Sequence, residues 1–290
     1  MDIKDLSCDC LKPLYFKLIM ILSENIAFPI SEKQFKKAFQ YALKYAIISL
    51  PWTINRMNYK HDKEGIEKRL RNIILGKMPE YFMWDVFQVY NIRVEPWAGE
   101  TGFWEKDRFD MLVYLNGNRE EWDIKSLTLD FSKVKNEDWL KLPALIPDRH
   151  KNDQWAKRNK LFLEQSKCKR ALFTFLENPG LNVHVSDQQV TAYEEIEKHK
   201  KYYIHQEKII LKKIGIVKCD SVKTGPRLVI SGIAGPDEWD YFKPVQKGEI
   251  FLNGLIKTRI KNMGTEIGNL PSFLKITGRK KLHSDILSEG

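Results

Sequence analysis

Cysteine is scarce in this sequence: Cys8, Cys10, Cys168 and Cys219 are all it has in 290 residues. Their spacing fits no zinc-ligand pattern, and buried free thiols in a reducing compartment are expected instead of disulfides. The six histidines are scattered, with no pair at helical metal spacing. No run of about 18 uncharged apolar residues occurs, so neither a transmembrane helix nor a membrane partner is expected. The apolar stretch Leu14 to Leu22 is broken by Lys17 and lacks a basic leader and a small-residue cleavage site. It reads as a core helix, not a signal peptide, and a cytoplasmic location is the expectation. Internal repeats and low-complexity tracts are also lacking.

Apolar bulk and positive charge are present. Hydrophobic residues make up 43% and aromatics 12%, enough for a sizeable core. Lys and Arg number 48 against 38 Asp and Glu, a formal net charge of +10. This balance favours partners rich in phosphate or anionic lipid. The positive charge gathers in residues 151–170, 195–227 and 257–290, a distribution that suits a groove tracking a phosphate backbone.

The first third reads as helical. Ser31 with Gln34 forms a capping-box signature, opening a helix with Phe35, Phe39, Leu43 and Ile47 on one face and Pro51 at its end. A second helix is expected from Asp62, stopped at Gly76, and a third over Glu80 to Tyr90. Strands are expected at Asn91 to Trp97, Phe109 to Leu115, Arg119 to Leu127, Ala171 to Leu176 and Leu228 to Ile233. Helices are expected over Asp153 to Gln165 and Val190 to Lys201, with a short one over Asp237 to Phe242. Such an order suggests an α/β or α+β chain around a mixed sheet, of which α/β is the expectation. Residues 1–60 read as an N-terminal helical extension, 61–250 as the core and 251–290 as a C-terminal extension.

The segment with chemical content is Phe109-Asp110-Met111 through Trp122-Asp123-Ile124-Lys125. Asn116-Gly117 between two apolar runs is a strong hairpin signal. Residues two apart on a strand share a face, which puts Asp123 with Lys125. A loop made of Asn116 and Gly117 pairs Asp110 with Asp123; a loop made of Gly117 and Asn118 pairs it with Lys125. Both turns bring the three side chains together, whereas a three-residue loop without a bulge separates them. Two opposed carboxylates repel, and a divalent cation is the chemical reason to keep them. The ion polarises a phosphoryl oxygen and acidifies water, and a neighbouring ammonium stabilises negative charge.

This pattern resembles the PD-(D/E)-x-K nuclease superfamily, with Phe109 in the place of the proline. The resemblance implies a restriction-endonuclease-like mixed central sheet flanked by helices. It also implies Mg2+, with Mn2+ as a substitute, held by Asp110, Asp123 and the carbonyl of Ile124, and a role for Lys125 in water attack. Gln154 matches a glutamine that many members carry on the following helix, and Glu64 or Glu67 an acid that some carry on the first helix. Lys157 and Arg158 are the expected phosphate contacts. Asp107 could replace Asp110 as a ligand, though an ion-pair or turn role is favoured, and His150 reads as a plain loop residue. Trp122 and Trp155 are expected in the core. The expected function is cleavage of double-stranded DNA by a type II restriction-type endonuclease, possible as a homodimer. The alternatives are a structure-selective repair nuclease and a nucleic-acid-binding protein that no longer cuts.

Overall fold

The computed structural model describes residues 25–57, 59–105, 107–160, 168–220 and 225–280. In chain order the first half comprises β1 (Ile26–Pro29), α1 (Glu32–Thr53), α2 (Lys63–Val89), β2 (Val94–Pro96), β3 (Met111–Leu115), β4 (Asn118–Leu129) and β5 (Pro143–Pro147). Then come β6 (Cys168–Glu177), β7 (Asn182–His184), α3 (Asp187–Lys198), α4 (Lys200–Tyr203), α5 (Glu207–Ile214), β8 (Lys218–Asp220) and β9 (Arg227–Ala234). The chain continues with β10 (Lys243–Val245), β11 (Ile250–Phe251), β12 (Ile256–Lys257), β13 (Asn262–Glu266) and α6 (Phe273–Thr277).

The architecture is α/β. Six strands form a mixed sheet in the order β1-β9-β6-β4-β3-β2. Strands β4 and β6 run parallel, and every other neighbour pair is antiparallel. The sheet alternates as a pleat must. Trp122 and Ile124 of β4 and Leu172 and Leu176 of β6 pack with apolar residues of α1, α2, α3, α5 and α6. Ala171, Phe173 and Phe175 face the other way, into a second cluster with Trp139, Ile146, Trp239 and Phe242. A small sheet, β10-β13-β5, and short 3-10 turns cover that second face.

Local signals explain much of this. The Ser31–Gln34 capping box is present in full. Asp62 caps α2, accepting from the Gly65 N–H at 2.8 Å. Three expectations differ. Gly76 does not stop α2, which runs unbroken through Gly76 and Pro79 to Val89, fusing two expected helices. Gly and Pro inside a helix cost about 1 and 3 kcal/mol. Against this, Met78, Phe82, Met83, Val86 and Phe87 are each at most 1% exposed, and burying such a side chain stabilises by about 1.5–3 kcal/mol. Second, the expected helix from Asp153 is only the 3-10 turn Trp155–Lys157 within the described residues. The Asp153 carboxylate is instead engaged by the N–H, Nε and Nη2 of Arg149 at 3.1, 2.7 and 3.0 Å. Residues 161–165 of that expected helix, like Leu14 to Leu22, Cys8 and Cys10, lie outside the described residues. Third, the described parts of the two expected extensions build into the same sheets and core as the rest. β1 pairs with β9 in the main sheet, β13 pairs with β5, and Phe273 enters the main cluster. Sequence proximity hides this because each pairing joins residues more than a hundred positions apart. No helix among the described residues is long and apolar enough to cross a membrane.

Candidate active site

The site begins with a two-residue turn. Asn116 and Gly117 have φ of 49° and 76°, the positive pair that a tight hairpin needs and that Asn-Gly adopts most cheaply. Leu115 then pairs with Asn118 and Met111 with Trp122, the first of the two registers expected. The ladder becomes irregular at its far end. Asp110 donates its N–H to the carbonyl of Trp122 at 3.0 Å, although Trp122 is already the partner of Met111. Two residues therefore face one, the pattern of a β-bulge, a device that re-aims a side chain. Here it turns the Asp110 carboxylate onto the next strand, where Oδ2 accepts from the Ile124 N–H at 2.6 Å. The approach to Asp110 is tight as well. Arg108 donates to the Gly99 carbonyl at 3.0 Å, and a Cβ on Gly99 would sit 2.3 Å from the Phe109 oxygen.

Asp123 and Lys125 register with Ala171 and Phe173 of β6, so they share the sheet face opposite Trp122. Their side chains are 19% and 16% exposed and stand 3.5 Å apart, Lys125 Nζ to Asp123 Oδ2. Lys169, on the adjacent strand β6, reaches the same oxygen at 3.5 Å and is tethered by donating to the Arg108 carbonyl at 2.7 Å. Burial raises the Asp110 pKa; the positive charge of Lys125 opposes this and the negative charge of Asp123 adds to it. Burial works to lower the Lys125 pKa, but Asp123 and Asp110 outweigh it, and the ammonium is held above its ordinary value.

The neighbouring α2 adds a buried ion pair. Glu80 is buried and 2.6 Å from Lys77 Nζ, which also lies 3.4 Å from Asp107 and 3.5 Å from Glu100. Burial and the charge of Asp110 push the Glu80 carboxyl well above its usual range. For Lys77, burial pulls down, but Glu80, Asp110 and Asp107 together hold the ammonium well above its ordinary value. Asp107 is thus an ion-pair residue that also accepts from the Thr101 N–H at 3.1 Å.

Asp110, Asp123, Ile124, Lys125 and Glu80 line a single cleft of about 810 Å3. Its wall carries nine Lys and Arg against five Asp and Glu. Among the described residues, no three Asp, Glu, His or Cys side chains are gathered closely enough to hold a metal by themselves. The donor chemistry still fits Mg2+, which is held through one or two carboxylates and keeps several waters. Trp122 accepts from Asp110 on the β3 side, and backbone groups two residues apart on a strand point the same way. The Ile124 carbonyl is therefore directed to the side where Asp110 stands.

Gln154 and Lys157 line the cleft. Arg158 does not: its guanidinium lies 3.9 Å from the centroid of the Trp155 ring and donates to the Trp155 carbonyl. Glu64 is exposed and Glu67 accepts from the Val185 N–H at 3.0 Å, so neither joins the acids. His150 is a loop residue accepting from the Asn152 N–H at 3.3 Å. Trp122 is fully buried and Trp155 packs on the second cluster. Glu80, Lys77 and Lys169 escaped the sequence reading. The signal for the first two is a Lys and a Glu three apart at the head of the apolar run Met78 to Phe87. Cys168 and Cys219 are free thiols, each pushed up to about 11 by burial. No protein-family model, curated protein or solved structure matches this chain.

Proposed function

We propose that this chain is a metal-dependent endodeoxyribonuclease with a restriction-endonuclease-like fold, cutting phosphodiester bonds of double-stranded DNA. One observation carries the reading: a bulge turns Asp110 onto the strand of Asp123 and Lys125, and all three line a basic cleft. Two acids and a lysine at strand spacing D-x-K agree with the superfamily resemblance of the sequence.

Asp110, Asp123 and the Ile124 carbonyl are the residues to hold Mg2+ or Mn2+, and Glu80 lines the same cleft. When bound, the ion supplies Lewis acidity and a water of lowered pKa. The chain's own residues do the rest. Lys125 keeps its proton at neutral pH and brings a fixed positive charge to the oxygens where negative charge develops. Lys169, fixed by the Arg108 carbonyl, holds the Asp123 carboxylate in place. Gln154 and Lys157 orient the DNA from the cleft wall. A type II restriction-type enzyme, cytoplasmic and acting as a homodimer, is the specific form proposed.

The test is incubation with plasmid DNA in Mg2+, in Mn2+, in EDTA and with Lys125→Ala. Cleavage that needs the ion and Lys125 supports the reading. Discrete fragments point to restriction, and cutting of branched DNA alone points to repair. Loss of cutting on plasmid, branched and RNA substrates alike overturns the enzyme in favour of a binding protein.

A further inference from the structure

The same cleft carries a second cluster. Tyr59, Arg69, Arg71 and Asn72, around the start of α2, line it together with Arg259, which follows β12. The Tyr59 hydroxyl accepts from both Asn72 Nδ2 and Arg259 Nη1. The guanidinium carbons of Arg69 and Arg259 lie 5.8 and 5.6 Å from the centroid of the Tyr59 ring. Arg259 is thus pinned to a tyrosine 200 positions away in sequence.

Arg259 spends one N–H on the Tyr59 hydroxyl, and the rest of its planar fork keeps donors suited to an anion. Arg259 is exposed and, among the described residues, its hydrogen-bond acceptor is the Tyr59 hydroxyl and no carboxylate pairs with it. An exposed arginine with no acid partner has little structural reason to be ordered, whereas one held by a tyrosine hydroxyl is pre-set for binding, because less side-chain freedom is lost on contact. The planar fork matches the two free oxygens of a phosphodiester.

We infer that Tyr59, Arg69 and Arg259 form a clamp for a backbone phosphate of the bound nucleic acid, at a nucleotide other than the one being cut. The inference rests on DNA being the partner proposed above, and it deepens that reading by assigning a subsite.

The test is fluorescence anisotropy with a labelled DNA duplex in EDTA, where no cutting interferes, across a salt series. Arg259→Gln is expected to weaken binding about tenfold and to lower the slope of log K against log salt by about one. Arg259→Lys, which keeps charge without the fork, is expected to retain the slope while losing part of the affinity. Lys33→Gln, an exposed charge change on α1, is the control and is expected to leave both unchanged. The clamp is overturned if wild type does not bind the duplex, if Arg259→Gln matches wild type, or if Lys33→Gln lowers the slope as much. The two readings fail separately. Arg259-dependent binding without Mg2+-dependent cleavage sinks the nuclease and keeps the clamp; cleavage with unaltered Arg259→Gln binding does the reverse.

Discussion

Replacing Asp110 by Asn and Asp123 by Asn should move stability in opposite directions when no divalent ion is bound, although each removes one negative charge from the same cleft. Asp123 has two ammoniums at 3.5 Å, Lys125 and Lys169. At that distance and an effective dielectric of about 20, each attraction is on the order of 5 kcal/mol, most of it cancelled by desolvation. Removing one partner of a buried pair costs about 3–5 kcal/mol. With Asp123 and Lys125 still 19% and 16% exposed, about 2–3 kcal/mol is expected for Asp123→Asn after allowing for solvent screening. Asp110 is different: burial and Asp123 oppose its charge, and an Asn oxygen can still accept from the Ile124 N–H. Asp110→Asn should therefore stabilise by about 1 kcal/mol. At roughly 2 °C per kcal/mol for a chain of this size, the midpoints in EDTA should lie about 2 °C above wild type for Asp110→Asn and about 5 °C below it for Asp123→Asn. Thermal unfolding followed by circular dichroism measures both. Adding about 10 mM Mg2+ should stabilise wild type by about 1.4 kcal/mol if the site has a Kd near 1 mM, and neither variant should respond. Destabilisation by Asp110→Asn as large as that by Asp123→Asn in EDTA, or a wild-type response of Asp110→Asn to Mg2+, would show that the Asp110 charge is neither a cost to the fold nor a ligand to the ion.

Other outcomes follow from the same geometry. Lys125→Ala should lower kcat for DNA cleavage by about 10^2- to 10^4-fold in single-turnover assays, the range for a positioned charge or proton donor, with the unfolding midpoint showing that the fold persists. Asp110 and Glu80 have folded pKa values raised above their unfolded ones, so their ionisation works against the fold. In EDTA, the stability of wild type relative to Asp110→Asn should be greatest and level below the ordinary carboxylate pKa of about 4, and should fall as pH rises from there through the raised folded value. A difference that is flat, or grows with pH, in a series of urea titrations would contradict the assignment. Gly99→Ala places a Cβ 2.3 Å from the Phe109 oxygen, displaces the segment leading to Asp110, and should cost about 1–3 kcal/mol together with most of the cleavage activity. Gly117→Val strains a position at φ 76° and should cost about 1–2 kcal/mol, read from the urea midpoint.

Local chemistry wrote part of this protein directly into its sequence. The Ser31 capping box, the Asp62 cap and the Asn116-Gly117 turn depend on residues within a few positions of one another, and each formed as its side chains dictate. The turn fixed the register as far as Met111 opposite Trp122; beyond it a bulge, and not strict alternation, turns Asp110 onto the next strand. Other features depend on residues far apart. The burial of Met78 to Phe87 against the sheet carried α2 through Gly76 and Pro79, against the stop that local propensity implies. Arg149 drew the Asp153 carboxylate away from starting a helix. Glu80, Lys169 and Arg259 reached the cleft only once α2, β6 and the loop after β12 were packed around it, since no spacing in sequence relates them to the hairpin. Near neighbours in the chain account for the hairpin and for Asp123 and Lys125 sharing a face, since a two-residue turn and strand alternation need nothing more; the aim of Asp110 and the charges around the acids came only with packing, which alone sets distance in space.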